Sequence, residues 1–374
     1  MDDFKGQKVY VAGCYDIFHY GHSNAIRQAK QLGDILVAAL HPDEEITQHK
    51  GPPVYTYEER LKLLKSIKWV DEIYPSAPYL LGPETLKDAG CDFCAHGDDL
   101  PISAETGCDP YAKLKEAGKF KVFKRTHGVS TTDIVDRILS MTTIHHANVN
   151  DRAEFDAVAN GLEQPSVCSP FTVGTRSLVT SSRIFQFSSG KEPQPGDRIV
   201  YTSGVFDILH MGHICFLEKA AAAGDYLIVG VHSDQIVNQC KGSNYPILNL
   251  HERVLSLLAT RFVSEVVIDV PLVCTGDIMD LFKIDLVVHG KTPIRLPSHG
   301  DDPFAEPKRR GKFQIIDSES EITTEVIVNR ILKRRLEFEE RNRKKNEREL
   351  KALHSSNKAD TGSESQDLSS NGWT

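Results

Sequence analysis

Gly13-Cys14-Tyr15-Asp16-Ile17-Phe18-His19-Tyr20-Gly21-His22 occurs a second time as Gly204-Val205-Phe206-Asp207-Ile208-Leu209-His210-Met211-Gly212-His213. Each copy follows a short β-type run, Lys8 to Ala12 and Arg198 to Thr202. Each opens a helical pattern, Ser23 to Leu32 and Ile214 to Ala223. Two imidazoles three residues apart are thereby placed at a strand's carboxyl end and in the first turn of a helix. Free backbone N–H groups and the helix dipole favour phosphate there. One such quartet arises by chance, its histidines serving as caps; two copies in the same strand-to-helix context make chance a poor explanation.

The repeat extends beyond the histidines. Gly33 to Asp43 matches Gly224 to Asp234, Lys50-Gly51 matches Lys241-Gly242, and Glu59-Arg60 matches Glu252-Arg253. Cys94-Ala95-His96-Gly97 matches Val287-Val288-His289-Gly290. Helical segments alternate with continuous Val/Ile/Leu runs, the pattern of strands buried on both faces under crossover helices. The expected fold is α/β, two tandem Rossmann-like doubly wound domains with parallel sheets and ligands at the carboxyl ends of the strands. The domains are placed at 1–147 and 197–335. A Ser/Pro/Gly/Thr-rich interdomain linker fills 148–196, in which Ser182 to Phe187 reads as a strand packed between the halves. Residues 336–374 read as a charged, solvated helix followed by a disordered tail from Ser355, because Glu339 to Glu349 contains no large apolar residue.

Length and composition bound the function. At 374 residues the chain has room for about two domains. A formal charge of -8 argues against a protein that coats nucleic acid and for a small anionic substrate. The Met1-Asp2-Asp3 start lacks the parts of a signal peptide, and no apolar run approaches the roughly 18 to 20 residues of a membrane span. The expected location is cytoplasmic. Of the eight cysteines, Cys91 and Cys94 have a suggestive spacing but lack a second ligand pair, so they read as structural thiols and no metal site is assigned.

Two histidines at a helix start, Lys50 on a following loop and a third element, Arg125-Thr126-His127-Gly128-Val129-Ser130-Thr131-Thr132, form a cage for a polyphosphate. The third element precedes a helical pattern at Asp133, and its arginine can grip two phosphate oxygens. Nucleotidyl transfer is the most economical reaction for such a cage. A phosphate-monoester acceptor attacks the α-phosphorus and pyrophosphate leaves, with positioning and charge stabilisation supplying the catalysis. His19, His22, Lys50 and Arg125 are the catalytic candidates. Cys14, Tyr15, Asp16, Gly97, Asp98, Thr126, Gly128, Val129, Ser130, Thr131 and Thr132 join them around the nucleotide. Asp16 reads equally as a helix cap, and Arg60 and Arg253 read as structural ion pairs or as contacts to the base edge, not as catalytic groups.

His-x-Gly-His with Arg-Thr-x-Gly-x-Ser-Thr-Thr resembles the signature of the cytidylyltransferase family, over about residues 7 to 335. The tandem arrangement is similar to that of the family's phosphoethanolamine branch. The resemblance implies transfer of CMP from CTP to phosphoethanolamine, giving CDP-ethanolamine and pyrophosphate, with Mg²⁺ accompanying the triphosphate. It implies dimers among single-domain relatives, for which the two halves here substitute by pairing internally; a homodimer of the whole chain stays open. Family members place an aspartate before the first glycine, where this chain has Ala12. Tyr79 matches an aromatic position that faces the headgroup cation.

In the second half Asp317-Ser318-Glu319-Ser320-Glu321-Ile322-Thr323-Thr324 replaces the arginine element. A second nucleotide pocket is still expected around Val205, Phe206, Asp207, His210, Met211, Gly212, His213, Lys241, His289, Gly290, Lys291, Thr292, Ile322, Thr323 and Thr324. Chemistry is expected in the first half. A relative using another acceptor such as phosphocholine, an adenylyltransferase, and a non-catalytic nucleotide-sensing paralogue are the alternatives.

Overall fold

The first strand is apolar on both faces, and Val9, Tyr10, Val11 and Ala12 are all buried. Val9 and Val11 join the cluster packed under the first histidine helix. Tyr10 and Ala12 join a smaller cluster on the opposite face with Leu86 and Cys94. A strand sandwiched in this way belongs at the centre of a parallel sheet. The computed structural model describes residues 6–98, 109–126, 128–146, 176–294, 302–345 and 347, apart from the side chains of Ile144 and of 176–181.

The first half runs β1 (Lys8–Gly13), α1 (Tyr20–Lys30), β2 (Ile35–Leu40), α2 (Asp43–Lys50), α3 (Tyr57–Lys65), β3 (Glu72–Tyr74), α4 (Pro83–Asp88), β4 (Phe93–Gly97), α5 (Ala112–Glu116), β5 (Phe120–Phe123) and α6 (Thr131–Ser140). After α7 (Arg176–Phe187) the same order returns as β6 (Ile199–Gly204), α8 (Met211–Ala221), β7 (Tyr226–Val231), α9 (Asp234–Lys241), α10 (Leu250–Leu258), β8 (Glu265–Ile268), α11 (Gly276–Leu281), β9 (Leu286–Gly290), α12 (Ala305–Arg309), β10 (Phe313–Ile316) and α13 (Thr324–Lys333). A last helix, α14, occupies 335–345. The sheets are parallel throughout, ordered β3-β2-β1-β4-β5 and β8-β7-β6-β9-β10. Strand order reverses between β1 and β4 and between β6 and β9, which opens a ligand crevice at the carboxyl ends where both histidine motifs begin.

The halves pair with each other around a pseudo-two-fold axis. Ile67 and Thr260 form an antiparallel bridge, flanked by Lys68 N donating to Ala259 O (3.0 Å) and Arg261 N donating to Ser66 O (2.8 Å). One buried apolar cluster runs from Leu63, Leu64 and Ile67 into Leu255, Leu258 and Ala259. Two reciprocal ion pairs lie about this axis. Arg137 of α6 donates twice to Glu252 of α10 (2.7 and 3.0 Å), and Arg330 of α13 donates twice to Glu59 of α3 (2.6 and 2.8 Å). Each glutamate is also the third residue of a capping box, closed on Thr56 or Asn249.

Two segments depart from the sequence expectation. Ser182 to Phe187 lies within helix α7 and not in a strand. Ile184 and Phe187, three apart, join the core, and Phe187 meets Trp69 edge-on at 5.2 Å. Most of the expected linker, and the tail from Ser355, fall outside the described residues. Helix α14 is charged as expected but not solvated all round: Phe338 and Asn342 are buried. Its inward face is held by polar and cation–π contacts, which an apolar pattern does not reveal. Among the described residues no helix is long and apolar enough to cross a membrane.

Arg137→Met strands Glu252, whose side chain is 1% exposed. The expected loss is about 3 kcal/mol, because breaking a buried pair leaves an uncompensated charge. A urea midpoint equal to that of the parent protein would contradict it.

Candidate active site

Between β1 and α1 the chain turns through two left-handed residues, Tyr15 (φ 50°) and Ile17 (φ 43°), and the second copy repeats them at Phe206 (51°) and Ile208 (48°). A β-branched residue at positive φ is strained and persists only where surrounding bonds hold it. The buried carboxylate of Asp16 supplies them. Its Oδ1 accepts from Ile17 N (3.1 Å), Val54 N (3.0 Å) and Tyr55 N (2.9 Å), tying the turn to the segment that follows α2. Asp207 accepts from Ile247 N (2.7 Å) and Leu248 N (2.9 Å) in the same way. Burial pushes both carboxyls upward, against the pull of these amides and nearby cations. Among the described residues the hydrogen-bond partners of both aspartates are backbone amides, not histidine rings. Arg60 and Arg253, fully buried, hold the Cys14 and Val205 carbonyls and pair with Asp43 and Asp234, the structural role expected of them.

The turn delivers His19 as the cap of α1. Its Nδ1 accepts from Gly21 N (3.1 Å), and His22 Nδ1 accepts from His19 N (3.4 Å), closing a reciprocal box. The two rings stack with centroids 3.9 Å apart. Burial, then the neighbouring cations Lys50, Arg125 and Lys345, push His22 down to about 3, and burial holds His19 well below its ordinary value. Both imidazoles are therefore neutral at pH 7. With Nδ1 occupied as acceptor, the proton of each resides on Nε2, which makes the pair hydrogen-bond donors aimed away from the helix.

A second helix start converges on the first. Ser130 caps α6 by accepting from Asp133 N (3.1 Å), and Thr131 Oγ1 donates to the Asp16 carbonyl (2.9 Å). Asp98 Oδ1 accepts from Arg125 N (2.8 Å), and Asn24 Nδ2 donates to Thr126 Oγ1 (2.8 Å), which fixes the arginine loop beside α1. Gly21 is required at the contact: a Cβ there would lie 2.9 Å from the His19 ring and 3.0 Å from Val129. Gly97 ends β4 next to this loop. Two helix amino termini, two neutral donors and the charges of Lys50 and Arg125 are thus gathered in one crevice. The rings of Tyr15 and Tyr79 are buried instead. Tyr15 Oη donates to Val11 O, and Tyr79 stacks on His49 at 4.1 Å, with Lys50 Nζ 5.7 Å from its ring centroid. Glu45 accepts from Tyr79 N (3.1 Å).

The second crevice keeps the turn and the stacked histidines, though His213 Nδ1 does not close the reciprocal box, and it loses the charge. His210 and His213 stack at 3.7 Å, Thr324 Oγ1 donates to Asp207 O (2.9 Å), and a Cβ on Gly212 would meet Ile322 O at 2.2 Å. Lys241 pairs with Glu325 (3.0 Å) of α13, and Lys291 and Lys219 pair with Asp317 (2.5 Å) and Glu319 (2.7 Å) of the replaced loop, so nearby acids neutralise the local cations. Ser318 stands where the first half has Arg125. His289 contacts Phe304 as His96 contacts Tyr111, and Thr292 follows β9. Cys91 and Cys94 are buried, and burial pushes the Cys91 thiol up to about 11, as suits structural thiols. Sequence reasoning missed Arg341 and Lys345 of α14, which reach the first crevice. Their spacing with Phe338 and Asn342, one helical face, was the available signal.

The sequence matches the cytidylyltransferase-like family twice, over residues 10–137 and 201–324. It is 49% identical to the ethanolamine-phosphate cytidylyltransferase of Mus musculus, over 92% of this chain and 91% of that one. It is 47% identical to that of Dictyostelium discoideum (94% and 97%) and 42% to that of Arabidopsis thaliana (93% and 85%). The chain belongs to the ethanolamine-phosphate cytidylyltransferase family. It is a nucleotidyltransferase built from two cytidylyltransferase-like domains.

An unfolded imidazole takes its proton as pH falls below about 6.5, whereas folded His22 does so only near 3. The unfolded state binds more protons in that window, so stability present above pH 6.5 falls by about 1.4 kcal/mol per pH unit for this group. His22→Gln should flatten this acid limb of urea midpoint against pH. An unchanged slope would mean that His22 is not held neutral.

Proposed function

We propose that the first-half crevice binds CTP and transfers its cytidylyl group to phosphoethanolamine, giving CDP-ethanolamine and pyrophosphate. The observation that carries this reading is the convergence of the starts of α1 and α6 on a stacked histidine pair whose Nδ1 atoms accept from backbone amides. The acceptor's phosphate oxygen attacks the α-phosphorus and the bond to the β-phosphate breaks, so charge builds on the equatorial and leaving oxygens. His19 and His22 donate to the α-phosphate as that charge grows, without proton transfer. Lys50 and Arg125 neutralise the departing pyrophosphate, and the hydroxyls of Ser130, Thr131 and Thr132 with the α6 amides hold it.

Mg²⁺ fits this site as a passenger of the triphosphate. The first crevice offers hydroxyls and the carboxylates of Asp98 and Asp133, the latter accepting from Ser130 Oγ, and the described residues contain no cluster of three or more metal-ligating side chains. An octahedral ion that keeps several waters and binds mainly through phosphates suits such a set. When bound it would spread the charge of the leaving group.

Ala12 is buried at the end of β1 and offers nothing to an amine. The ammonium group of the acceptor is assigned instead to the neighbourhood of Tyr79 and Glu45. Tyr79→Ala should raise KM for phosphoethanolamine more than it lowers kcat.

His22→Ala is expected to lower kcat by about 100- to 1,000-fold, the usual cost of one preorganised donor. His210→Ala combined with His213→Ala should leave a measurable share of turnover, because the second crevice is already neutralised by its own acids. Steady-state CDP-ethanolamine formation reads both. Abolition by the second-half pair in a folded protein, with CTP still bound at the first site, would move the chemistry to the second half.

A further inference from the structure

Helix α14 belongs to the second half in sequence but lies on the first-half crevice. It presents Phe338, Arg341, Asn342 and Lys345 along one face, at the spacing of neighbouring turns. Phe338 is buried, with the Arg341 guanidinium 4.8 Å from its ring centroid. Arg341 Nη1 donates to Pro52 O (3.3 Å) and stands 3.8 Å from Asp16 Oδ2, its stem passing over Gly51. Asn342 Nδ2 donates to Asp136 Oδ1 (2.7 Å). Lys345 Nζ donates to Thr132 Oγ1 (3.0 Å), in the first turn of α6. Its charge is felt by both His19 and His22. On the outward face Arg335 pairs with Glu339, and Arg343 pairs with Glu340 and Glu347. The position equivalent to Thr132 in the second half is Glu325, which neutralises Lys241 there.

We propose that α14 completes the first-half nucleotide site, Lys345 serving as a binding group for the β- and γ-phosphates of CTP and Arg341 as the residue that positions it. The inference rests on the nucleotide reading above and extends it: the triphosphate pocket is built by both halves of the chain. Lys345 stands at the helix start assigned to the leaving group, so it acts on CTP and on pyrophosphate and not on the nucleoside monophosphate.

The test uses the full chain with Lys345→Gln, which keeps a donor for Thr132 but removes the charge, and Lys345→Arg, which keeps the charge. CTP affinity is measured by calorimetry, and pyrophosphate and CMP are measured as inhibitors. Lys345→Gln is expected to weaken CTP and pyrophosphate about tenfold, because it removes one charge-assisted hydrogen bond to phosphate, and to leave CMP unchanged. Lys345→Arg should stay close to the parent. Unaltered CTP and pyrophosphate binding in Lys345→Gln, or a rise in turnover showing that the helix obstructs the site, overturns the inference alone. Equal weakening of CMP overturns the phosphate assignment. A parent protein that binds neither CTP nor pyrophosphate overturns the nucleotide reading together with it.

Discussion

A buried carboxylate bonded to backbone amides some forty residues away is the constraint on which the rest of this molecule hangs. Burial pushes the Asp16 carboxyl upward, and the Arg341 guanidinium 3.8 Å away, the backbone amides and Arg60 pull against it. The amides of Ile17, Val54 and Tyr55 keep the ion in place. The left-handed turn can then hold Tyr15 and Ile17 where they are. That turn aims His19 and His22, and the tethered segment leads from Lys50 into α3. Tyr55 within it donates to Leu209 O of the other half (3.1 Å). One charge therefore organises both the crevice and the interface.

The interface repeats the device with the halves exchanged. Arg137 reaches Glu252 and the Ile247 carbonyl, while Arg330 reaches Glu59 and the Val54 carbonyl. Val54 and Ile247 are the residues whose amides the two aspartates hold. Each half thus grips the loop that its partner's aspartate has fixed, and the glutamates gripped are those that cap α3 and α10. Internal duplication supplies the isologous contact that a symmetric dimer would obtain from a second chain.

Much of this was legible in the sequence because the chain states its pattern twice. The central strands read from their uninterrupted apolar runs, and the histidine pairs and the Arg125 loop read from their place before helices. The reading failed where contacts are polar or long-range. Asp16 looks like a cap from its neighbours alone, and its amide partners lie 38 and 39 positions on. Helix α14 has one large apolar residue on its buried face, and Arg341, Asn342 and Lys345 supply the remaining contacts, so hydrophobic periodicity reports a solvated helix. Phe185 and Phe187 alternate as in a strand while Ile184 and Phe187 stand at helical spacing, and the packing of the second pair into the core, Phe187 against Trp69, with Phe185 left exposed, decides for a helix.

The second crevice shows why a motif survives when its charge does not. Its acids replace the arginine element at Asp317, Glu319 and Glu321, and Lys241, Lys291 and Lys219 are each paired. What remains unaltered is geometric: the left-handed turn, the stacked histidines, Gly212 beneath Ile322 O, and Thr324 on the Asp207 carbonyl. Those features carry Asp207, and Asp207 fixes the Ile247 segment that receives Arg137 from α6. Arg137 lies in the same helix whose first turn forms the phosphate cradle of the first half. Losing the second motif would loosen the element that presents Ser130, Thr131 and Thr132. Conformation at the second site is therefore tied to the first by packing, whereas charge there is not, and the substitutions fall on charge.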